Sequence, residues 1–204
     1  MTRIANTTGG VSILPDTQYI ARKKVLKIFG QAFHIYDSQE KLVAFSKLKA
    51  FKLKEDIRVY TSEEMTTELL QIKARQIIDF SAAYDVFDPR AGQKVGALKR
   101  KGLKSMLKDE WVILDASDRE IGLIVEDSMA KALLRRFIEL AAIILPQKYH
   151  AEMGGQIVTT YQQNFNPFVH KLVIDFSPDT NKRFDRRLGL AAAVLLLAVE
   201  GRQG

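Results

Sequence analysis

Asp175, Ser177, Asp179 and Asn181 stand at alternate positions near the C-terminus, the spacing of the first oxygen ligands in a twelve-residue calcium loop. Oxygen donors at such intervals could hold a hard cation. The rest of that loop is missing: Thr180 occupies the position that needs glycine for the sharp turn, and Arg186 the position of the closing bidentate glutamate. Lys182 and Arg183 add repelling charge. A strand end followed by a helix cap explains the same residues through turn chemistry, and no metal is expected there.

Other reactive side chains are scattered. His34, His150 and His170 lie in strand-like contexts without paired spacing, whereas a zinc site needs three or four converging ligands. No Gly-x-Ser-x-Gly elbow, phosphate-binding loop followed by Lys-Ser/Thr, or GxGxxG is present. The absence of cysteine excludes disulfides, thiolate metal sites and cysteine nucleophiles. Carboxylates are plentiful but fall in turns. Neither an enzymatic activity nor a cofactor is expected.

Positive charge is the chemistry that remains. The 204 residues carry a net charge of +7. Basic residues cluster at Arg22, Lys23, Lys24 and Lys27, at Lys47, Lys49, Lys52 and Lys54, and at Lys99, Arg100, Lys101, Lys104 and Lys108. Strand alternation puts Lys47 and Lys49 on one face with Phe51, unless a bulge intervenes. The stretch from Lys99 to Lys108 contains Gly102 and reads as a loop open to phosphates. Each basic residue near an anionic membrane contributes ~1 kcal/mol, so four or five suffice for weak, salt-sensitive binding. Lys47, Lys49, Lys99, Arg100, Lys101, Lys104 and Lys108 are therefore the candidate lipid contacts. Nucleic acid is not expected, because no recognition helix or stacking platform accompanies the charge. A structural or protein-binding module with a solvated lysine surface is the alternative.

The elements that must carry these residues are organised around one stretch. Leu188 to Val199 contains no polar side chain, and helical spacing distributes Leu188, Leu190, Val194, Leu195, Leu196, Leu197 and Val199 around the whole circumference. A helix apolar all round is buried or lies in lipid. A run of this length, shorter than the ~20 residues of a membrane span, predicts a core helix. Asp185 is its expected N-cap and Gly201 its stop.

Upstream, one unit recurs: an alternating strand, an acidic turn, and a second strand. It is read at Phe33 to Phe45, Tyr84 to Leu98 and Trp111 to Val125, with Ile57 to Ile72 similar and Tyr149 to Gln162 turning at Gly154 Gly155. The second strands share an aliphatic residue followed by a small one: Val43 Ala44, Val95 Gly96, Ile121 Gly122. Tyr19 to Ile35 mixes apolar and basic residues around Gly30, and Phe168 to Phe176 alternates once more before the last helix. Closing the hairpins into a barrel removes their edges and leaves the apolar helix as its plug. Residues 128–145 read as an additional amphipathic helix on the barrel exterior. Residues 1–18 are expected to be a flexible arm and 19–204 one domain, mainly β, of about twelve mostly antiparallel strands. Without a signal-peptide-like start, a cytoplasmic monomer is expected.

With these pieces in order, the chain resembles the LURP-one-related proteins and phospholipid scramblases, which share the tubby C-terminal-like fold. The residues that carry the resemblance are FHIYD, YDVFD, WVILDASDREIG, NFNPFVHKLVIDFS at Asn164 to Ser177, and RRLGLAAAVLLLAVEG at Arg186 to Gly201. The resemblance implies a closed barrel around a central hydrophobic helix. For function what it implies is mixed: tubby domains bind phosphoinositides through basic surface residues, scramblases are associated with calcium-triggered lipid movement, and many LURP-one-related proteins have no established activity. Together with the basic clusters it gives peripheral binding to anionic phospholipid surfaces as the expectation, with a structural or protein-partner-binding module, or lipid transport, as alternatives. The N-terminal proline-rich and cysteine-rich regions of animal scramblases have no counterpart here.

Overall fold

The computed structural model describes residues 14–26, 30–48, 56–75, 82–101, 110–127, 147–164 and 170–200. Alternating side chains build twelve strands: β1 Gln18–Leu26, β2 Gly30–Tyr36, β3 Leu42–Leu48, β4 Asp56–Tyr60, β5 Glu68–Ala74, β6 Ala83–Asp88, β7 Gln93–Arg100, β8 Glu110–Leu114, β9 Glu120–Glu126, β10 Lys148–Met153, β11 Gln156–Asn164 and β12 His170–Asp175. Each pairs antiparallel with its neighbours in sequence, and β12 returns to β1 with Ile174 opposite Tyr19 and Leu172 opposite Ala21. The sheet is closed, as the hairpin series predicts. Its acidic turns are fastened by their own carboxylates. Asp37 Oδ1 accepts the amides of Gln39 and Lys41 at 3.0 and 2.8 Å, and Asp115 Oδ1 those of Ser117 and Arg119 at 2.8 and 3.0 Å.

Five hairpins share one irregularity. Ile35 faces Ala44 but Tyr36 faces Leu42, which leaves Val43 as an extra residue on the second strand. Leu69, Val95, Ile121 and Val158 are extra in the same way. Leu69 and Val158 lie in the core, and Val43, Val95 and Ile121 pack against it. In three of these hairpins the residue after the bulge is small. A Cβ on Gly96 would collide with the Leu114 carbonyl and crowd Leu188, and one on Gly122 would collide with the Glu152 carbonyl and Met153. The aliphatic–small pairs of the sequence are thus bulges, which add the bend and twist that barrel closure needs.

Helix α1, Arg186–Glu200, fills the barrel. Leu188, Leu190, Val194, Leu195, Leu196 and Leu197 are at most 5% exposed, and the helix touches β1 and β12 on one side and β5 and β7 on the other. Asp185 caps it, accepting the Arg187 amide at 2.9 Å. Near its C-terminal end, buried Lys23 donates from Nζ to the Leu197 carbonyl at 3.1 Å, a cation placed where the helix dipole is negative. Among the described residues no helix is long and apolar enough to cross a membrane. The Val199 side chain, Gly201, the expected helix at 128–145, and Lys49, Lys104 and Lys108 lie outside the described residues. The expected arm differs at its inner end: Leu14 is buried, and the Asp16 carboxylate accepts the Ser38 amide at 3.0 Å.

Candidate functional site

The alternating oxygens before the helix do not converge. Asp175 Oδ1 accepts the Ser177 amide at 2.8 Å. Asp179, 8% exposed, accepts the amides of Arg183 and Phe184 on its two oxygens at 2.9 and 2.8 Å, fastening the turn that leads into α1. Among the described residues no group of three or more His, Asp and Glu could hold a metal. His34 is buried on the outer face, its Nε2 3.0 Å from Glu63, its ring stacked with that of Tyr36 and edge-on to that of Phe45. His150 lies 2.8 Å from Glu152 and 3.6 Å from Asp127. His170 lines, with Lys23, Tyr149, Gln163, Leu172, Leu196 and Leu197, a cavity of about 50 Å³. That volume suits about a water or two, far below the roughly 300 Å³ at which small-molecule pockets begin.

The ionic network at the helix N-terminus is structural. Arg187 reaches Asp185 at 2.6 Å and Asp88 at 2.8 Å. Asp88 also accepts the Arg90 and Ala91 amides of the β6–β7 turn at 3.0 and 3.2 Å. Burial alone would raise the Asp88 carboxyl, but Arg187, Arg90 and the two amides together hold it below the usual carboxylate range. The network locks a turn to the plug.

The basic residues singled out in the sequence fall on different parts of the ring. Lys99 is exposed on the outside of β7, Arg100 shares the inward face of Leu98, and Lys101 is paired with Glu110 at 3.0 Å. Lys47 is exposed on β3, four strands away around the barrel. The structure does not bring Lys47 and Lys99 together.

Another surface emerges from the ladder registers. On the outer face, Lys24, Ala32 and Lys47 form a row across β1, β2 and β3. Asn164, Lys171, Arg22, His34 and Phe45 form the next row across β11, β12, β1, β2 and β3. Lys148, Gln162, Val173, Ile20 and Tyr36 form a third, from β10 to β2. No row contains an acidic residue. Lys24, Lys47 and Lys148 are exposed, Lys171 is half-buried, and none of the four has a carboxylate partner among the described residues. Arg22 lies 4.6 Å above the Tyr36 ring and 3.5 Å from Glu40. Neighbouring strands are ~5 Å apart and alternate residues ~7 Å apart, so Arg22, Lys24 and Lys171 lie within about a Debye length of one another. Like charges directly opposite, as Arg22 and Lys171 are, cost stability. The other wall compensates its cations: Arg58 pairs with Asp56 and Glu68, while Arg75 and Lys94 share Asp85 and Asp118.

One end of the barrel, where α1 begins, is acidic. Its six turns (37–41, 61–67, 89–92, 115–119, 154–155 and 176–185) hold five Lys and Arg against eight Asp and Glu. Lys24, Lys47, Lys148 and Lys171 all lie toward the other end, where α1 terminates. Composition shows Arg22 and Lys24 as a cluster but gives no sign that Lys171 and Lys148 join them; that follows from register alone.

No family model matches the chain. No curated protein matches it either. Among solved structures, the X-ray structure of the Arabidopsis thaliana protein AT5G01750 is similar at 14% sequence identity and a TM-score of 0.49, covering 95% of this chain and 100% of that one.

Proposed function

We propose that this chain is a non-enzymatic, monomeric, cytoplasmic barrel protein that docks peripherally on anionic phospholipid surfaces, the role that its tubby-like resemblance implies. Three outer rows over β10–β12 and β1–β3 carry the reading: Lys24, Lys47, Lys148, Lys171 and Arg22 stand together there with no acidic residue in their rows, Arg22 alone of the five reaching a carboxylate among the described residues, that of Glu40. Ile20, Val173 and Tyr36 between them supply apolar and aromatic surface suited to the headgroup boundary. Four or five cations at ~1 kcal/mol each amount to roughly millimolar to sub-millimolar attraction, reversible and salt-sensitive. Lipid transport through the terminal helix is disfavoured, since its apolar side chains are spent on the barrel interior.

The test is sedimentation of the purified protein with vesicles of graded phosphatidylserine content at low and physiological salt. Bound protein should rise with anionic lipid and fall with salt. No binding at either salt, or binding indifferent to lipid charge, would overturn the proposal and make a protein partner the better candidate.

A further inference from the structure

Two ring side chains on the outside of the barrel are as buried as its core. Arg22, His34, Phe45 and Tyr60 follow one another along an outer row from β1 to β4. His34 is 4% and Phe45 5% exposed, although it is their chain neighbours Phe33, Ile35 and Ala44 that join the core cluster. Strands of one sheet do not cover its outer face, so the cover comes from outside the sheet. The β4–β5 turn, 61–67, supplies it. Tyr60 ends β4 directly opposite Phe45, so the turn must reach over β3 to touch β2, and Glu63 does so, its carboxylate 3.0 Å from His34 Nε2. The turn is otherwise held by its own backbone: the Thr61 amide donates to the Thr67 carbonyl at 3.0 Å and the Met65 amide to that of Ser62 at 3.3 Å. Among the described residues the Glu63 contact is the one polar bond that fastens it to β1–β3.

Beneath this turn, polar groups are incompletely satisfied. His34 Nδ1 and the Nε of Arg22, which stands opposite His34 in the ladder, are buried without a hydrogen-bond partner. Buried unpaired polar groups cost stability, so the closed arrangement carries a penalty that lifting the turn relieves. Resting on the docking role given above, we propose that turn 61–67 is an autoinhibitory flap on the docking face. Closed, it sets the Glu63 carboxylate at the margin of the cationic rows and hides His34 and Phe45. An anionic surface repels Glu63 and Glu64 while it attracts Arg22 and Lys171. Lifted, the flap bares His34 and Phe45 beside Tyr36, adding aromatic surface at the headgroup boundary and freeing the Arg22 Nε–H for a lipid phosphate.

The first arm of the test uses no lipid. Because the chain lacks cysteine, Phe45→Cys supplies a single thiol. Adding Glu63→Ala should speed its labelling by a maleimide at least ~5-fold in the native protein, as a released cover requires. Glu64→Ala removes the same charge from the same turn without touching His34, and should leave the rate within about 2-fold of the Phe45→Cys protein. Carbethoxylation of His34, read by peptide mass in chains that keep Phe45, makes the same comparison should the thiol variant fold poorly. In the second arm, on phosphatidylserine vesicles, Glu63→Ala should bind at least ~10-fold more tightly than wild type, and Glu64→Ala no more than ~5-fold, the worth of one charge. Labelling and carbethoxylation unmoved by Glu63→Ala would overturn the flap whatever the vesicles show. Faster labelling with equal gains in affinity from both variants would overturn the autoinhibition. Faster labelling with no vesicle binding by any of the proteins would overturn the docking role itself, and the inhibition with it, while leaving the flap.

Discussion

Asp88 joins a turn, a strand end and the plug within one carboxylate. It is 5% exposed and takes the Arg187 guanidinium on one oxygen and two turn amides on the other. Removing it leaves a cation and two donors short of partners in a nearly closed site. Asp88→Ala should therefore cost about 2 to 4 kcal/mol, near the range for breaking a buried, hydrogen-bonded charge pair. The pH dependence identifies the cause. The carboxyl is held below its unfolded value, so its contribution is present above about pH 4 and fades as the pH falls through the folded value. Urea unfolding at about pH 7 and about pH 3 should show the gap between wild type and variant shrinking in acid. An unchanged gap would assign the loss to packing instead.

At the scale of elements, the bulges do the bending. Gly96 sits after the extra residue Val95 with the Leu114 carbonyl on one side and Leu188 of the helix on the other, so it couples sheet curvature to plug position. Gly96→Ala should destabilise by about 1 to 3 kcal/mol through overpacking, read as a lowered thermal midpoint. An effect within about 0.5 kcal/mol, the range of ordinary surface changes, would mean that the wall can relax there. Most of the strands, the turns and the buried helix are legible in the sequence, because period-2 alternation, Asp-initiated turns and the unbroken run at Leu188 are local signals; Tyr19 to Ile35, whose mixed apolar and basic pattern fits a strand, a short helix turn or both, is resolved only by the pairing of β1 with β2 and β12. The aliphatic–small pairs were visible as a pattern, but their meaning as bulges was not, since a bulge exists only relative to its partner strand. The charged surface was hidden for the same reason. Arg22 and Lys171 meet only because β12 closes onto β1, while Lys47 and Lys99, both candidate contacts on charge alone, stand on β3 and β7 with three strands of the ring between them.

For the whole molecule, a net charge of +7 spread evenly would serve solubility, whereas here it is sorted. The β4–β9 wall carries several of its cations in ion pairs, the acidic turns gather at one end, and uncompensated lysines lie toward the other. On the proposed function, such a distribution would orient the barrel in the field of an anionic surface, with the β12–β1–β3 face as the contact. If that face is the contact, the triple variant Lys24→Ala, Lys47→Ala, Lys171→Ala loses about 3 kcal/mol of surface attraction, roughly a hundredfold in vesicle affinity, and its salt dependence flattens. These side chains form no ion pairs among the described residues, so folding should be unaffected, with a thermal midpoint near that of the wild type. Lys99→Ala with Lys101→Ala removes nearly as much charge from the opposite wall, where Lys101 is already bound to Glu110, and should weaken binding by less than about tenfold. The comparison separates position from total charge. Equal losses in the two variants would show that only net charge matters, and a larger loss from the second would move the contact to β7. Loss confined to the first would mean that barrel closure, by seating Lys171 of the last strand opposite Arg22 of the first, is what assembles the binding face.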